Sequence, residues 1–142
     1  MKGYLIIETN GAHPGLVRLT TTETLPRIPT AAASATDPMV RHVTYFADLS
    51  AARMHAHQLL SRQAVDVESG LYRSTPVEAV AAVESIGLRH RRAFLDPVLV
   101  DDPALEQGIA ARRAKRLRWD RTWRIIGFAA ILFLLARLLF GF

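Results

Sequence analysis

The chain has 142 residues, of which 50% are hydrophobic and 22% are charged, and it contains no cysteine. This length supports one domain of ordinary size, and the composition excludes wholesale disorder. The lack of cysteine excludes disulfides, thiolate metal sites and a cysteine nucleophile. Residues 1–111 carry a net charge of −2 and residues 112–142 carry +7. The net charge of +5 therefore comes from the C-terminal end and does not by itself indicate a nucleic-acid-binding protein.

The first third of the chain has the pattern of short antiparallel strands. Residues 4–8 are rich in β-forming side chains, and the Asn-Gly and Pro-Gly pairs that follow predict a loop. Residues 16–19 predict the return strand and residues 40–47 the third strand of a three-stranded antiparallel sheet. Between them, a small-residue stretch at 30–35, opened by Pro26 and Pro29, predicts one short helix.

Two helices are predicted to flank this sheet. Asp48 or Ser50 caps a helix that runs to about residue 62, and residues 71–73 form a short extended piece. Thr75 then precedes Pro76 and Glu78, an arrangement that predicts a capping box at the start of the second helix.

The end of the second helix and the segment after it are defined less sharply. Gly87 predicts a left-handed C-cap for the second helix. Residues 88–102 combine a basic run with an acidic, proline-bearing stretch and predict a linker or docking segment. Asp102 followed by Pro103 predicts the start of a last helix, which continues towards the C-terminus with Gly108 as its one weak point.

The C-terminal residues have the length and composition of a membrane span. Residues 125–142 contain a single charged side chain and, as a helix, would extend about 27 Å. Including residues 122–124 brings the span close to the ~30 Å hydrocarbon core of a bilayer. Because a helix that is apolar on all faces is difficult to bury in a domain of this size, we expect residues 122–142 to cross a membrane.

Basic residues immediately precede this span. Residues 112–124 hold seven arginines and lysines against one aspartate. The positive-inside rule places this flank, and the domain before it, on the cytoplasmic side of a bacterial inner membrane, as a single-pass tail anchor. We expect membrane, anionic lipid or partner contacts at Arg116, Arg118, Trp119, Arg121, Trp123, Arg124 and Arg137.

Arg137 is the one charge within the span. Five residues from the end, its side chain is able to reach the far headgroups, which predicts a lipid-phosphate contact. The alternative is that Arg137 pairs with a carboxylate or carbonyl of another membrane subunit. The sequence thus divides into a domain at 1–87, a linker at 88–102, a basic juxtamembrane helix at 103–121 and the span at 122–142.

Several stretches of residues 3–86 resemble the GIY-YIG nuclease superfamily, in particular its phage-type DNA-binding subgroup. They are Gly3-Tyr4-Leu5-Ile6-Ile7, then Pro14-Gly15-Leu16-Val17-Arg18-Leu19, then Ala33-Ser34-Ala35-Thr36, the helix around His57, and Leu71-Tyr72-Arg73 before the last helix of the domain. The resemblance covers about three fifths of the chain and implies a small α/β (α+β) fold with flanking helices.

The resemblance also implies metal-assisted phosphodiester cleavage, but most of the chemistry it requires is missing. If the site were active, its residues would be Tyr4, Arg27, His57 and Glu68. The second tyrosine position of the first strand is Ile6, Arg27 is one residue out of register, and the metal-binding glutamate position falls on Gly70. A one-residue shift in a strand reverses the side chain, so the sequence resembles the fold without its active site.

Other candidate sites are weaker. His55 and His57 point about 200° apart on a helix, so they cannot chelate one metal ion together. Arg89, Arg91 and Arg92 form a possible phosphate or partner patch, against the alternatives of a solvated turn or a surface facing anionic lipid. Arg53, His57 and Glu84 are a polar set that could belong to a vestigial site. We expect no cofactor and no metal.

The function that the sequence predicts is non-enzymatic. A compact domain without evident chemistry on a single span with an interior arginine is typical of an accessory subunit of a larger membrane complex, such as a respiratory or photosynthetic one. The first alternative is a membrane-tethered DNA-binding module, although three arginines in a net-negative domain argue against strong affinity for nucleic acid. The second alternative is a divergent metal-dependent nuclease.

Overall fold

The computed structural model describes residues 1–28 and 37–141 and shows an α+β fold with a long C-terminal helix. Its antiparallel sheet has six strands in the order β4-β5-β2-β1-β3-β6. The strands are β1 (Gly3–Asn10), β2 (Leu16–Thr22), β3 (Pro38–Phe46), β4 (Ala64–Asp66), β5 (Leu71–Arg73) and β6 (His90–Leu95). The helices are α1 (Leu49–Leu60), α2 (Pro76–Glu84), α3 (Pro97–Val100) and α4 (Pro103–Phe140).

The central strand is β1, which pairs with β2 on one side and β3 on the other. Its side chains alternate, so Leu5 and Ile7 point into the core formed with the helices while Tyr4 and Ile6 point to the opposite face of the sheet. The three strands that the sequence predicts are therefore present and lie together at the centre of the sheet.

The prediction of a three-stranded sheet is wrong, because further strands extend both edges. The short extended piece at 71–73 pairs with β2 and is followed outward by β4, while β6 pairs with β3 at the other edge. Residues 90–95 were thus predicted as part of a linker but belong to the domain. Their basic side chains hide the strand pattern, since Arg92 lies opposite the buried Thr44 and turns inward to an acidic partner.

The helix starts are confirmed and one helix end is not. Asp48 accepts a hydrogen bond from the Ala51 amide as the N-cap of α1, and the capping box of Thr75 and Glu78 is complete. The predicted left-handed cap at Gly87 is wrong, because α2 ends earlier, at a right-handed Ser85, and the described residues with positive φ do not include Gly87.

The first turns of α4 belong to the domain rather than to a separate juxtamembrane helix. Leu105 and Ile109 are buried in the core beside α2. A Cβ at Gly108 would lie 3.1 Å from the Cβ of Ala81, so the predicted weak point is a place where α4 and α2 lie in close contact. The helix then continues without a break to Phe140.

The predicted short helix at 30–35, and the Ala33-Ser34-Ala35-Thr36 part of the family resemblance, lie outside the described residues. The neighbouring part of the connection, at residues 25–28, has no regular secondary structure.

Candidate functional site

The C-terminal part of α4 exposes a continuous apolar surface. Among the described residues, one helix is long and apolar enough to cross a membrane, and none of its most apolar stretch is buried in the domain. The side chains of Phe128, Phe133 and Leu138 are 64%, 68% and 81% exposed. Apolar surface on this scale is unfavourable in water, because each exposed side chain forgoes its transfer free energy. This part of α4 therefore has the character of a membrane-spanning helix.

Two arginines of the basic stretch join α4 to the end of α2. The Arg113 Nη2 donates to the Glu84 carbonyl oxygen at 3.1 Å, and the Arg116 Nη1 donates to the Ser85 carbonyl oxygen at 3.1 Å. These carbonyls belong to the last turn of α2, where the helix has no internal donors left and its dipole favours cations. The basic residues before the span therefore hold the domain on α4 as well as carrying charge.

An open groove of about 970 Å³ runs between α4, the end of α2 and the second half of α1. The basic side chains that line the groove are Arg112, Lys115 and Arg116. The lining also includes His55, Leu59 and Trp119. Three further residues of the predicted membrane contact surface, Arg118, Arg121 and Arg124, lie along another side of α4. The basic stretch is thus divided between an exposed helix surface and a groove shared with the domain.

The aromatic residues of the predicted interface lie together on α4. The ring centroids of Trp119 and Trp123 are 6.0 Å apart in an edge-on arrangement, and both side chains are more than half exposed. Arg137 lies in the last turn of α4, next to a left-handed Gly141 that ends the helix. One exposed helix therefore carries, in order, basic residues, an aromatic pair, an apolar stretch and a lone arginine.

The residues that an active nuclease would need are not brought together. Tyr4 lies on the face of the sheet away from α1 and packs edge-on against Tyr45, with ring centroids 5.4 Å apart. His57 lies on α1 and bonds to the Tyr72 hydroxyl and to Arg53 Nε. Arg27 is exposed after β2, and Glu68 is exposed in the turn between β4 and β5.

Gly70, where the family resemblance would place a metal-binding glutamate, has no room for a side chain. Gly70 has a φ of 67°, in the left-handed region, and a Cβ there would collide with the Leu19 carbonyl oxygen. The Gly70 carbonyl in turn accepts a 2.8 Å hydrogen bond from the Leu19 amide, which holds the two backbones together. The backbone at this point accommodates glycine alone.

A buried polar cluster that the sequence analysis did not identify lies between the sheet and α2. Glu84 Oε1 accepts from His42 Nε2 at 2.7 Å and from Arg92 Nε at 2.9 Å, and Thr44 Oγ1 lies 2.8 Å from the same His42 nitrogen. The three residues of the predicted polar set, Arg53, His57 and Glu84, therefore do not form one cluster. Glu84 bonds to His42 and Arg92, whereas His57 bonds to Tyr72 and Arg53.

The electrostatics of this cluster are set by burial and by Arg92. Burial acts to raise the pKa of Glu84, but hydrogen bonds from His42 and Arg92 and their charges outweigh it and lower that pKa from 4.5 to about 2. Burial lowers the pKa of His42, so the imidazole is neutral at pH 7 and donates through Nε2 to the carboxylate. One signal was available in the sequence: His42 shares a strand face with Phe46, and such a face is normally buried.

The basic run at 89–92 is only partly available to a ligand. Arg92 bonds to Glu84, and His90 packs against Phe46 with ring centroids 5.3 Å apart. Arg89 and Arg91 are exposed. The Arg92 side chain is also 40% exposed, so the three arginines of the predicted patch all lie at the surface, with one of them bonded to Glu84.

Within residues 1–28 and 37–141, no group of three or more acidic or histidine side chains is placed to hold a metal ion. No protein-family model, curated protein or solved structure matches the chain. Nothing in these comparisons identifies a GIY-YIG domain.

Proposed function

We propose that this chain is a membrane protein anchored through α4 and a non-catalytic accessory subunit of a larger membrane complex. The observation that carries the proposal is the double role of α4, whose first turns are buried in the domain and whose last turns are apolar and exposed. Because the helix has no break, a partner that binds the span also fixes the position of the domain. The class of complex that we expect is the respiratory or photosynthetic one.

One face of the span supports a helix–helix contact. Gly127, Ala130 and Arg137 are separated by three and seven residues, a spacing that puts them on one side of α4. Nothing lies within 4 Å of the position that a Cβ would take at Gly127. Small residues let a second helix approach closely in a membrane, and Arg137 on the same face offers a charge for a carboxylate or carbonyl of that helix.

The basic residues before the span support the orientation. Arg118, Arg121 and Arg124 follow the last hydrogen bond between α4 and the domain and precede the apolar stretch, which is where the cytoplasmic leaflet attracts arginine and lysine. The domain is therefore proposed to lie on the cytoplasmic side of a bacterial inner membrane, directly above the headgroups.

The test is purification of the tagged full-length chain from its own membranes in a mild detergent. We expect it to elute with stoichiometric partner subunits. Ala130→Leu and Arg137→Leu should reduce the recovered partner by roughly tenfold, because interhelical contacts of this kind contribute ~1–2 kcal/mol each. Ala129→Leu is the matched control, since it makes the same change about 100° around the helix and should retain the partner.

The proposal is wrong if the wild-type chain elutes alone, or if Ala130→Leu and its control Ala129→Leu retain the partner equally. The alternatives predict different results. A DNA-binding module would bind duplex DNA with an affinity that falls steeply with salt. A nuclease would require Mg²⁺ or Mn²⁺ and would lose activity in Glu68→Gln.

A further inference from the structure

We propose that the groove between α1, the end of α2 and α4 binds the headgroup of one anionic phospholipid. The inference rests on the membrane anchoring proposed above and adds a defined ligand site to it. The groove has the volume of a small-molecule site, about 970 Å³, and combines a basic wall with an apolar floor.

The charges of the groove favour a phosphate. Arg112, Lys115 and Arg116 line it, and none of the described lining residues carries a carboxylate. Among the described residues, Lys115 and Arg112 make no hydrogen bond or ion pair, and Arg116 uses one Nη for the Ser85 carbonyl. The groove thus presents several N–H donors of the kind that bind phosphate oxygens, with no internal anion to compete.

One of the three cations of the basic wall is held in position by the fold. Arg116 is fixed by its bond to the end of α2, and it occupies the space that a side chain at Gly87 would need. This contact accounts for a glycine at a position where the backbone itself does not require one. A site whose cation is positioned in advance loses less freedom when it binds its ligand.

The groove lies at the height where a lipid headgroup is available. Arg116 and Trp119 precede the predicted start of the span at residue 122 by six and three residues, or about 9 Å and 4.5 Å along the helix axis. The headgroup layer is roughly 5–8 Å deep on each side of a bilayer, and an arginine side chain extends further towards it. A lipid in the adjacent leaflet therefore reaches the groove without leaving the membrane.

The apolar part of the groove favours a lipid over a free phosphate. Leu59 and Trp119 are 49% and 63% exposed and lie beside the basic residues. Glycerol and the first acyl carbons of a phospholipid would cover these side chains, whereas inorganic phosphate or glycerol phosphate would leave them in water.

The experiment measures binding of dihexanoyl phosphatidylglycerol to the full-length chain in a nonionic detergent, by the shift in its unfolding temperature and by native mass spectrometry. We expect saturable binding of one lipid per chain, and much weaker binding of dihexanoyl phosphatidylcholine and of glycerol 3-phosphate. Each basic side chain contributes about fivefold in affinity near an anionic headgroup, so Arg112→Gln with Lys115→Gln should weaken binding roughly 25-fold.

Two further variants make the result specific to the groove. Leu59→Trp keeps every charge but fills the groove, and it should also abolish saturable binding. Arg62→Gln with Arg73→Gln removes two exposed charges from elsewhere on the domain and should leave the affinity unchanged within about twofold. Circular dichroism establishes that each variant retains its fold.

The proposal is overturned if phosphatidylglycerol and phosphatidylcholine bind equally, if glycerol 3-phosphate binds as well as the lipid, or if Leu59→Trp binds like the wild type. It is also overturned if the groove variants lose a partner protein instead of the lipid, since the groove would then be a protein interface. Because the purified chain is assayed without its partner, failure here leaves the accessory-subunit proposal standing.

Discussion

At the scale of single residues, the buried carboxylate of Glu84 links α2 to two strands. It bonds to His42 on β3 and to Arg92 on β6, and the side chains of His42 and Glu84 are 0% and 7% exposed. A buried charge is tolerated only with a partner, and with His42 neutral at pH 7 that charge partner is Arg92. The cluster makes the domain sensitive to acid.

We predict that the free energy of unfolding falls as the pH is lowered. His42 has a pKa below 6.5 in the folded chain, so its contribution is complete above pH 6.5 and is lost as the pH falls below that value. Glu84 has a pKa lowered from 4.5 to about 2, so its contribution is present above pH 4.5 and is lost between there and pH 2. Denaturant unfolding of the full-length chain in detergent at pH 7.5, 5.5 and 3.5 measures this.

A histidine variant identifies the group responsible. His42→Gln still donates to Glu84 but does not titrate, so the loss of stability between pH 7.5 and 5.5 should become smaller. His13→Gln, in an exposed loop, should behave like the wild type. A wild-type chain that is equally stable at pH 7.5 and 5.5 would contradict the prediction.

Gly70 and Gly15 give a second prediction at this scale. Both have positive φ, but a Cβ at Gly70 collides with the Leu19 carbonyl while nothing lies within 4 Å of one at Gly15. Gly15→Ala should therefore cost only the backbone strain, ~1 kcal/mol. Gly70→Ala should cost ~3 kcal/mol or more, because β2 has to move away from the turn.

Chemical denaturation of the two variants side by side gives both values. Equal losses of stability would show that backbone conformation alone requires glycine at position 70. A larger loss at Gly70 would show that the contact with the Leu19 carbonyl oxygen excludes any side chain at this position.

At the scale of elements, α4 is one helix in two environments. Its first turns pack on α2 through Leu105 and Ile109, and from Leu117 onward its large apolar side chains are about half or more exposed. The helical pattern of the sequence does not show where the helix leaves the domain. The buried part and the exposed part both favour helix, and no residue interrupts the backbone hydrogen bonds between the two parts.

We predict that two similar truncations on α4 have different effects. Ile109→Ala removes a side chain that is 5% exposed and should destabilise the domain by ~3 kcal/mol. Leu117→Ala removes one that is 67% exposed and should change its stability by less than ~0.5 kcal/mol. Far-ultraviolet circular dichroism during denaturation in detergent measures both. Equal effects would mean that the first turns of α4 are not part of the domain.

At the scale of the whole molecule, the exposed half of α4 predicts where the chain is found. We expect the full-length chain to sediment with membranes and to resist extraction by alkaline carbonate. A charged residue at the centre of a span costs ~2.5–3.5 kcal/mol, so Ile131→Asp combined with Leu134→Asp should move most of the chain out of the membrane fraction. The control variant Leu117→Asp, which lies before the span, should stay in the membrane fraction. A wild-type chain found in the supernatant would contradict the prediction.

The local features of this protein were predictable from short stretches of sequence. Short runs of β-forming residues predict β1, β2 and β3, and Asp48, Thr75 and Glu78 predict the helix starts, because a cap acts over three or four residues. The predictions that failed depend on residues distant in sequence. Gly87 leaves space for the Arg116 guanidinium, and Arg92 on β6 bonds to Glu84 on the helix opposite it.

The sequence alone determined that the C-terminal segment forms a helix able to cross a membrane, since a run of apolar residues with a single charge fixes both the length of the segment and its preference for an apolar environment. Only the tertiary structure decided that this helix begins inside the domain and that two of its arginines donate to the last carbonyl oxygens of α2. It also decided that a basic groove lies beside these arginines. The physical reason is range. The length of an apolar segment depends only on residues that are neighbours in the sequence. A groove or a buried ion pair forms only where elements that are distant in the sequence come into contact.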